Sequence, residues 1–219
     1  MLDALWERFD SIVVLDTETT GFRPREDEII ELGFVVLTPA AEREEDYLIR
    51  LSPGRRLPPR ITELTGITEP MLVSGVEKET AGRALAEALS SERPLLAAYN
   101  AQFDLSFLYF FLARLGLADC LRKTRFLDVM SVYRDRRDYP HRLENAVDAY
   151  GACGMNSHRA CDDARAALEV LKAMERERPD VAEYVNLFGY NPKYGPPRPA
   201  IRSVRYEPQP YERRKLLYE

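Results

Sequence analysis

The residues in this chain best placed to do chemistry are carboxylates that interrupt apolar segments. In "IVVLDTETTG", residues 12–21, the run Ile12–Val13–Val14–Leu15 has the pattern of a strand covered on both faces, and Asp16 and Glu18 follow at its end. Positions two apart in a strand point to the same face, so the two carboxylates project side by side. Two like charges about 4 Å apart repel by roughly 4 kcal/mol at an effective dielectric near 20, which calls for a compensating cation. Further along, Asp104 shares a helical stripe with Phe107, Leu108 and Phe111. Asp163 lies at the edge of a stripe defined by Ala160, Ala164, Ala167, Leu171 and Met174, about 100° of helix rotation from its neighbour Asp162. Any one such acid could be a structural acceptor or a helix cap. Several on different elements, all aimed inward, point to a shared site for hard cations such as Mg²⁺ or Mn²⁺. Paired metals serve phosphoryl chemistry, which also needs a proton acceptor for water. Of the two histidines, His158 is the candidate, from the loop or first turn ahead of the helix bearing Asp163; His141, in "YPHRLENA", reads as a partly exposed loop residue.

Strands must carry these groups to one place. "DEIIELGFVVLTP" reads as a second strand, "EEDYLIRL" as a third and "PLLAAYN" as another buried strand. A turn or short helix is expected near Ile61–Gly66, and helices over 79–91, 102–115, Arg159–Glu177 and, shorter, near Val181–Phe188; short elements lie around "RFLDVMSVYR" and "RLENAVDAYG". This order implies an α/β sheet that is not purely parallel.

The 219 residues suffice for one sizeable domain, and a net charge of −5 argues against coating duplex DNA by bulk electrostatics. Residues 190–219 hold seven Lys/Arg against three Asp/Glu, leaving −9 on the rest. No apolar run approaches the ~20 residues of a membrane span, and "MLDALWERFD" carries acids where a signal peptide would be basic, so a cytoplasmic protein without membrane attachment is expected. Cys120, Cys153 and Cys161 lack zinc-ligand spacing and read as free thiols.

"DTETTG", "NAQFD" and "HRACDDA" together resemble the three motifs of the DEDDh (DnaQ-like) 3′–5′ exonuclease superfamily, which includes the proofreading epsilon subunit of bacterial DNA polymerase III. Asp16, Glu18, Thr20 and Gly21 match the first motif; Asn100, Phe103 and Asp104 the second; His158, Ala160 and Asp163 the third. The resemblance covers about residues 11–177. It implies an RNase H-like fold, a five-stranded mixed sheet flanked by helices, over an exonuclease domain at 1–189, with 190–219 a Pro/Tyr/Arg-rich extension. It also implies hydrolysis of single-stranded nucleic-acid 3′ ends to nucleoside 5′-monophosphates. Asp16, Glu18, Asp104 and Asp163 would hold two Mg²⁺ or Mn²⁺ ions and His158 would deprotonate water. Thr17, Thr20, Gly21 and Phe22 would line the terminal-nucleotide pocket, Leu64 and Ile67 would pack on the last base, and Asn100 and Phe103 would flank the strand. For Phe22, Leu64, Ile67 and Phe103, core packing is the competing role. DNA is favoured over RNA as substrate, with a polymerase or repair protein as a possible partner. The alternatives are an exoribonuclease of the same fold, since the motifs do not read the 2′-OH, and a non-catalytic nucleic-acid-binding module. The tail, with tyrosines at 190, 194, 206, 211 and 218, reads as a nucleic-acid or partner contact, an extended strand draped over the body, or a partly disordered end.

Overall fold

The computed structural model describes residues 2–152, 158–211 and 215–219. After a short helix α1 (Asp3–Trp6), the chain forms three consecutive strands, β1 (Ser11–Thr19), β2 (Ile29–Leu37) and β3 (Glu42–Leu48). Helices α2 (Pro59–Thr65), α3 (Glu69–Val73) and α4 (Lys78–Ala88) lead to β4 (Pro94–Ala98) and α5 (Ala101–Arg114). There follow α6 (Cys120–Lys123), β5 (Arg125–Asp128), α7 (Val129–Arg134), α8 (Leu143–Tyr150), α9 (Ala160–Glu177), a 3₁₀ turn at Val181–Tyr184, and strands β6 (Leu187–Tyr190) and β7 (Arg205–Pro208).

The main sheet has the order β3-β2-β1-β4-β5, antiparallel on the β2 side of β1 and parallel on the β4 side, the mixed α/β sheet expected from the sequence. β1 is central, which explains its unbroken apolar start: Ile12, Val13, Val14 and Leu15 are all fully buried. Successive residues serve opposite layers. Ile12 and Val14 join a core with Ala167, Leu171 and Met174 of α9, whereas Val13 and Leu15 join one with Leu85 of α4 and Leu105, Leu108 and Leu112 of α5. Edge strand β3 is acidic, and Arg165 and Lys172 of α9 pair with its Glu42 and Glu44, which blunts it as a template for further pairing.

Two local expectations are corrected. The segment near Val181–Phe188 is helical only over Val181–Tyr184, as a 3₁₀ turn. Beyond it Asn186 takes a left-handed φ of 56°, its side-chain Oδ1 accepts from the Phe126 N–H at 2.8 Å, and a strand follows. His141 is buried rather than partly exposed, its Nε2 lying 2.9 Å from the Arg137 carbonyl and its ring edge-on to Tyr133 and Tyr139. Cys120 and Cys161 are free thiols, and Cys153 lies outside the described residues.

Candidate active site

The end of β1 distributes its side chains to both layers. Asp16 and Glu18 continue the Ile12/Val14 face toward α9, as their spacing predicts, and the β1–β2 ladder shifts register between Glu18 and Thr19. Such irregularities re-aim side chains beside functional sites. Thr17 points the other way, and its hydroxyl donates to Asp104 Oδ1 at 2.7 Å. That hydrogen bond orients the Asp104 carboxylate. Asp104 is buried one turn into α5, whose first residue, Ala101, donates its N–H to Asp128 Oδ1 at 3.1 Å. Asp128 sits at the end of β5 and is itself held by Ser131. Asn100, at φ 67°, starts the helix without a side-chain cap, because Asp128 does that work from a neighbouring strand.

The third group arrives on α9, and two residues of β2 fix where that helix begins. Gly33 lies opposite Asp16 in the ladder, and a Cβ on it would fall 2.1 Å from the Cys161 nitrogen and 2.4 Å from the Ala160 carbonyl carbon. Only the bare glycine lets the first turn of α9 rest on the sheet. Glu31, opposite Glu18, is fully buried; it accepts from Ala160 N at 2.9 Å and from Arg159 Nε at 2.8 Å. A carboxylate at a helix N-terminus satisfies an orphan donor and complements the helix dipole. Residues 158–163 are thereby locked over the end of β1. His158 is exposed, with φ 53°, and Asp163 is buried. Glu18, His158 and Asp163 each offer a ligand atom within 4.8 Å of the others.

The electrostatics mark this cluster as short of positive charge. Burial, then the charges of Asp163, Glu31 and Asp104, push Glu18 up to about 8. Burial raises Asp104 to about 7 against the opposing pull of the Thr17 hydrogen bond. Asp16 lies well above the usual carboxylate range, through burial first and then the charges of Asp104, Glu18 and Asp163. Acids from β1, α5 and α9 thus sense one another, and all would ionise readily beside a cation. Carboxylate oxygens suit Mg²⁺ or Mn²⁺, so the acids present fit the metals that the sequence implies.

The remaining expected contact residues fall around this centre unevenly. Thr20 is engaged within its own loop, accepting from Glu28 N at 3.0 Å, and Gly21 leaves room for the Asp27 carboxylate, which a Cβ would meet at 2.5 Å. Phe22 is 69% exposed and packs edge-on to Phe103 at 6.4 Å between ring centroids, and Leu64 is 48% exposed. These three offer apolar surface to a ligand. Ile67 does not: it is fully buried among Ile30, Leu57, Ile61 and Leu72, so the competing core role holds for it. Glu31, Gly33 and Asp128 were not marked by any motif. The only advance signals were an acid and a glycine inside an otherwise apolar strand.

Comparison with known proteins bears on the family and the fold. Residues 13–171 match the family model described as exonuclease (RNase_T). The chain is 34% identical over 165 residues to a PolC-type DNA polymerase III of Thermotoga petrophila, covering 74% of this chain and 12% of that one. It is 29% identical to the DNA polymerase III epsilon subunit of Treponema pallidum, covering 75% and 76% of the two chains. The chain therefore spans only about an eighth of the length of the PolC-type polymerases it matches. Exonuclease I of E. coli bound to a dT13 oligonucleotide superimposes with a TM-score of 0.71 at 18% identity over 80% of this chain and 43% of that one, a likeness of fold. No helix among the described residues is long and apolar enough to cross a membrane. On the family match, and with the sheet and motif elements in the expected places, the chain belongs to the RNase_T exonuclease family, within the DEDDh (DnaQ-like) superfamily of 3′–5′ exonucleases.

Proposed function

We propose that this protein is a divalent-metal-dependent 3′–5′ exonuclease that removes nucleoside 5′-monophosphates from single-stranded DNA ends in the cytoplasm, in proofreading or repair, beside a polymerase or repair partner. The observation that carries the reading is the grouping of Glu18, His158 and Asp163 at the end of β1, with the charges of Asp16 and Asp104 acting on it. Asp16, Glu18, Asp104 and Asp163 would hold two cations. Such cations supply charge to polarise a phosphodiester and to acidify water. His158, exposed beside Glu18 and Asp163, accepts the proton of the attacking water. Thr17 keeps Asp104 turned inward, and Glu31 with Arg159 holds His158 in reach. Phe22, Leu64 and Phe103 grip the terminal base by apolar contact, without sequence preference, while Asn100 flanks the strand.

DNA is favoured because the relatives named above are DNA polymerase III proteins and the structural neighbour was solved on an oligodeoxynucleotide. Residues 1–189 would form the exonuclease domain and 190–219 its extension. The test is digestion of a 5′-labelled single strand with Mn²⁺ by the wild type and by Asp16→Ala, on matched DNA and RNA. Stepwise shortening of DNA by the wild type alone is expected. Retained activity in Asp16→Ala would remove the metal assignment, and faster RNA than DNA digestion would make the protein an exoribonuclease.

A further inference from the structure

The C-terminal segment is tied to the second motif. Gln102, in the first turn of α5, donates to the Pro199 carbonyl at 3.0 Å and accepts from the Tyr206 hydroxyl at 2.5 Å. Tyr206 in turn accepts from Ile201 N at 2.9 Å. Between this tether and the end of the sheet the segment encloses an open groove of about 650 Å³, lined among others by Asn100, Arg134, Tyr190, Tyr194, Arg198 and Tyr211. Asn100 and Gln102, both in the second motif, line the groove, so it lies beside the start of the helix that carries Asp104.

The lining has the chemistry of a polynucleotide track. Tyr194 is 75% exposed, with the Lys193 ammonium 5.5 Å from its ring centroid. Tyr211, 46% exposed, is held against Tyr139 at 4.9 Å between centroids, so its ring is already placed. The Nε of Arg134 is buried without a partner among the described residues, and Arg198 is exposed. The segment 190–219 carries a charge of +4 on a chain whose net charge is −5, and the groove itself is lined by Arg134 and Arg198 against one acid, Asp128. Aromatic platforms interleaved with cations bind single strands without reading sequence.

We propose that this groove is an extended binding site for the nucleotides upstream of the scissile end. Bases stack on Tyr194 and Tyr211, and phosphates pair with Arg134 and Arg198. The inference rests on the exonuclease reading of the neighbouring site, and the experiment keeps the two apart. In the full chain, kcat/KM with Mn²⁺ is measured on (dT)3 and (dT)12 for the wild type, Tyr194→Ala, Tyr194→Phe and Arg198→Ala. Binding of fluorescent (dT)12 is followed in Ca²⁺ across a salt series. Tyr194→Ala is expected to lower the (dT)12 to (dT)3 ratio roughly 10-fold, the weight of one base–aromatic stack, with the ratio restored by Tyr194→Phe. Arg198→Ala is expected to reduce the salt slope of (dT)12 binding by about 0.7, one phosphate contact. Equal changes on both lengths, or none, would overturn the groove while leaving the exonuclease reading in place. If the wild type cleaves neither oligonucleotide, the exonuclease reading falls, and the groove then stands or falls on whether Tyr194→Ala weakens (dT)12 binding. A groove that holds (rU)12 more tightly than (dT)12 would overturn its assignment to DNA.

Discussion

A single acid near a metal says little until its neighbours are counted, and here the count is one-sided. Glu18 and Asp163 lie beside the His158 imidazole, the charges of Asp16 and Asp104 act on the same acids, and the guanidinium of Arg159 is held by Glu31. The metal-free protein therefore resists ionising Asp16, Glu18 and Asp104. Glu18 ordinarily titrates near 4.5 and is pushed up to about 8, while Asp104 moves from 3.8 to about 7. A carboxyl raised in the folded state favours folding while both states are protonated. That contribution is lost as pH climbs from the ordinary carboxylate range through about 8. Cations bind the ionised form, so their stabilising effect must grow over the same interval. At a free concentration of about 100 times Kd a bound ion contributes about 2.7 kcal/mol, or roughly 5–10 °C in Tm for a domain of this size. Thermal unfolding with and without MgCl₂ at pH 6 and pH 8.5 should show the larger increment at pH 8.5; an equal increment would count against carboxylate ligation. His158 stands apart from this balance, since the acids supply the charge that binds metal. His158→Ala should cut kcat by about 10²–10⁴ through loss of the base, with the Mg²⁺ increment in Tm preserved. Disappearance of that increment would make the imidazole a ligand instead.

Periodicity within one element is what a sequence states openly, and it carried most of the site. The i, i+2 relation put Asp16 and Glu18 on one face of β1, and helical stripes turned Asp104 and Asp163 inward while leaving Asp162 exposed. Contacts between elements are not written that way. Gly33 matters because of Ala160 and Cys161, and Glu31 because of Arg159, both more than a hundred residues distant. Asp128 replaces the missing side-chain cap of α5 from another strand, and the sequence around Asn100 has no sign of it. Likewise, nothing in "ELTGIT" separates exposed Leu64 from buried Ile67, because the difference lies in the apolar cluster beneath. The helix–sheet contact at Gly33 gives an element-scale prediction. Gly33→Ala places a methyl where the backbone of α9 lies, so the helix start must lift from the sheet. Overpacking of this kind costs typically 1–3 kcal/mol, roughly 2–12 °C in Tm. Asp163 and His158 move with the helix, so kcat should fall even at temperatures where the variant is fully folded. Normal turnover by a folded Gly33→Ala protein would mean that the register of α9 on β2 does not set the site.

Across the whole molecule, the question left by composition was whether the proline- and tyrosine-rich tail belongs to the body. Proline content and charge predicted an extended path but could not say what it crosses. Of its anchors, Gln209 and Leu217 are buried and Tyr218 is half-buried. Gln209 donates to the Ser131 carbonyl and to Asp135 Oδ1, both at 2.8 Å, and Tyr218 donates to Asp180 at 2.7 Å. Leu217 is 3% exposed within the same core as Tyr184, Leu171 and Leu5, which joins the last residues of the chain to the first helix. A tail merely resting on the surface would tolerate truncation of any one side chain. Leu217→Ala should instead cost about 2–5 kcal/mol, a fall of roughly 4–20 °C in Tm. Tyr194→Ala supplies the contrast, because a ring 75% exposed contributes little to folding and should leave Tm close to that of the wild type. Calorimetry on the two variants separates the tail's roles: anchoring belongs to the residues that point inward, and substrate contact to those that point into the groove. If Leu217→Ala unfolds at the wild-type temperature, the C-terminus is not part of the core, and the groove it helps to close would lose its fixed wall.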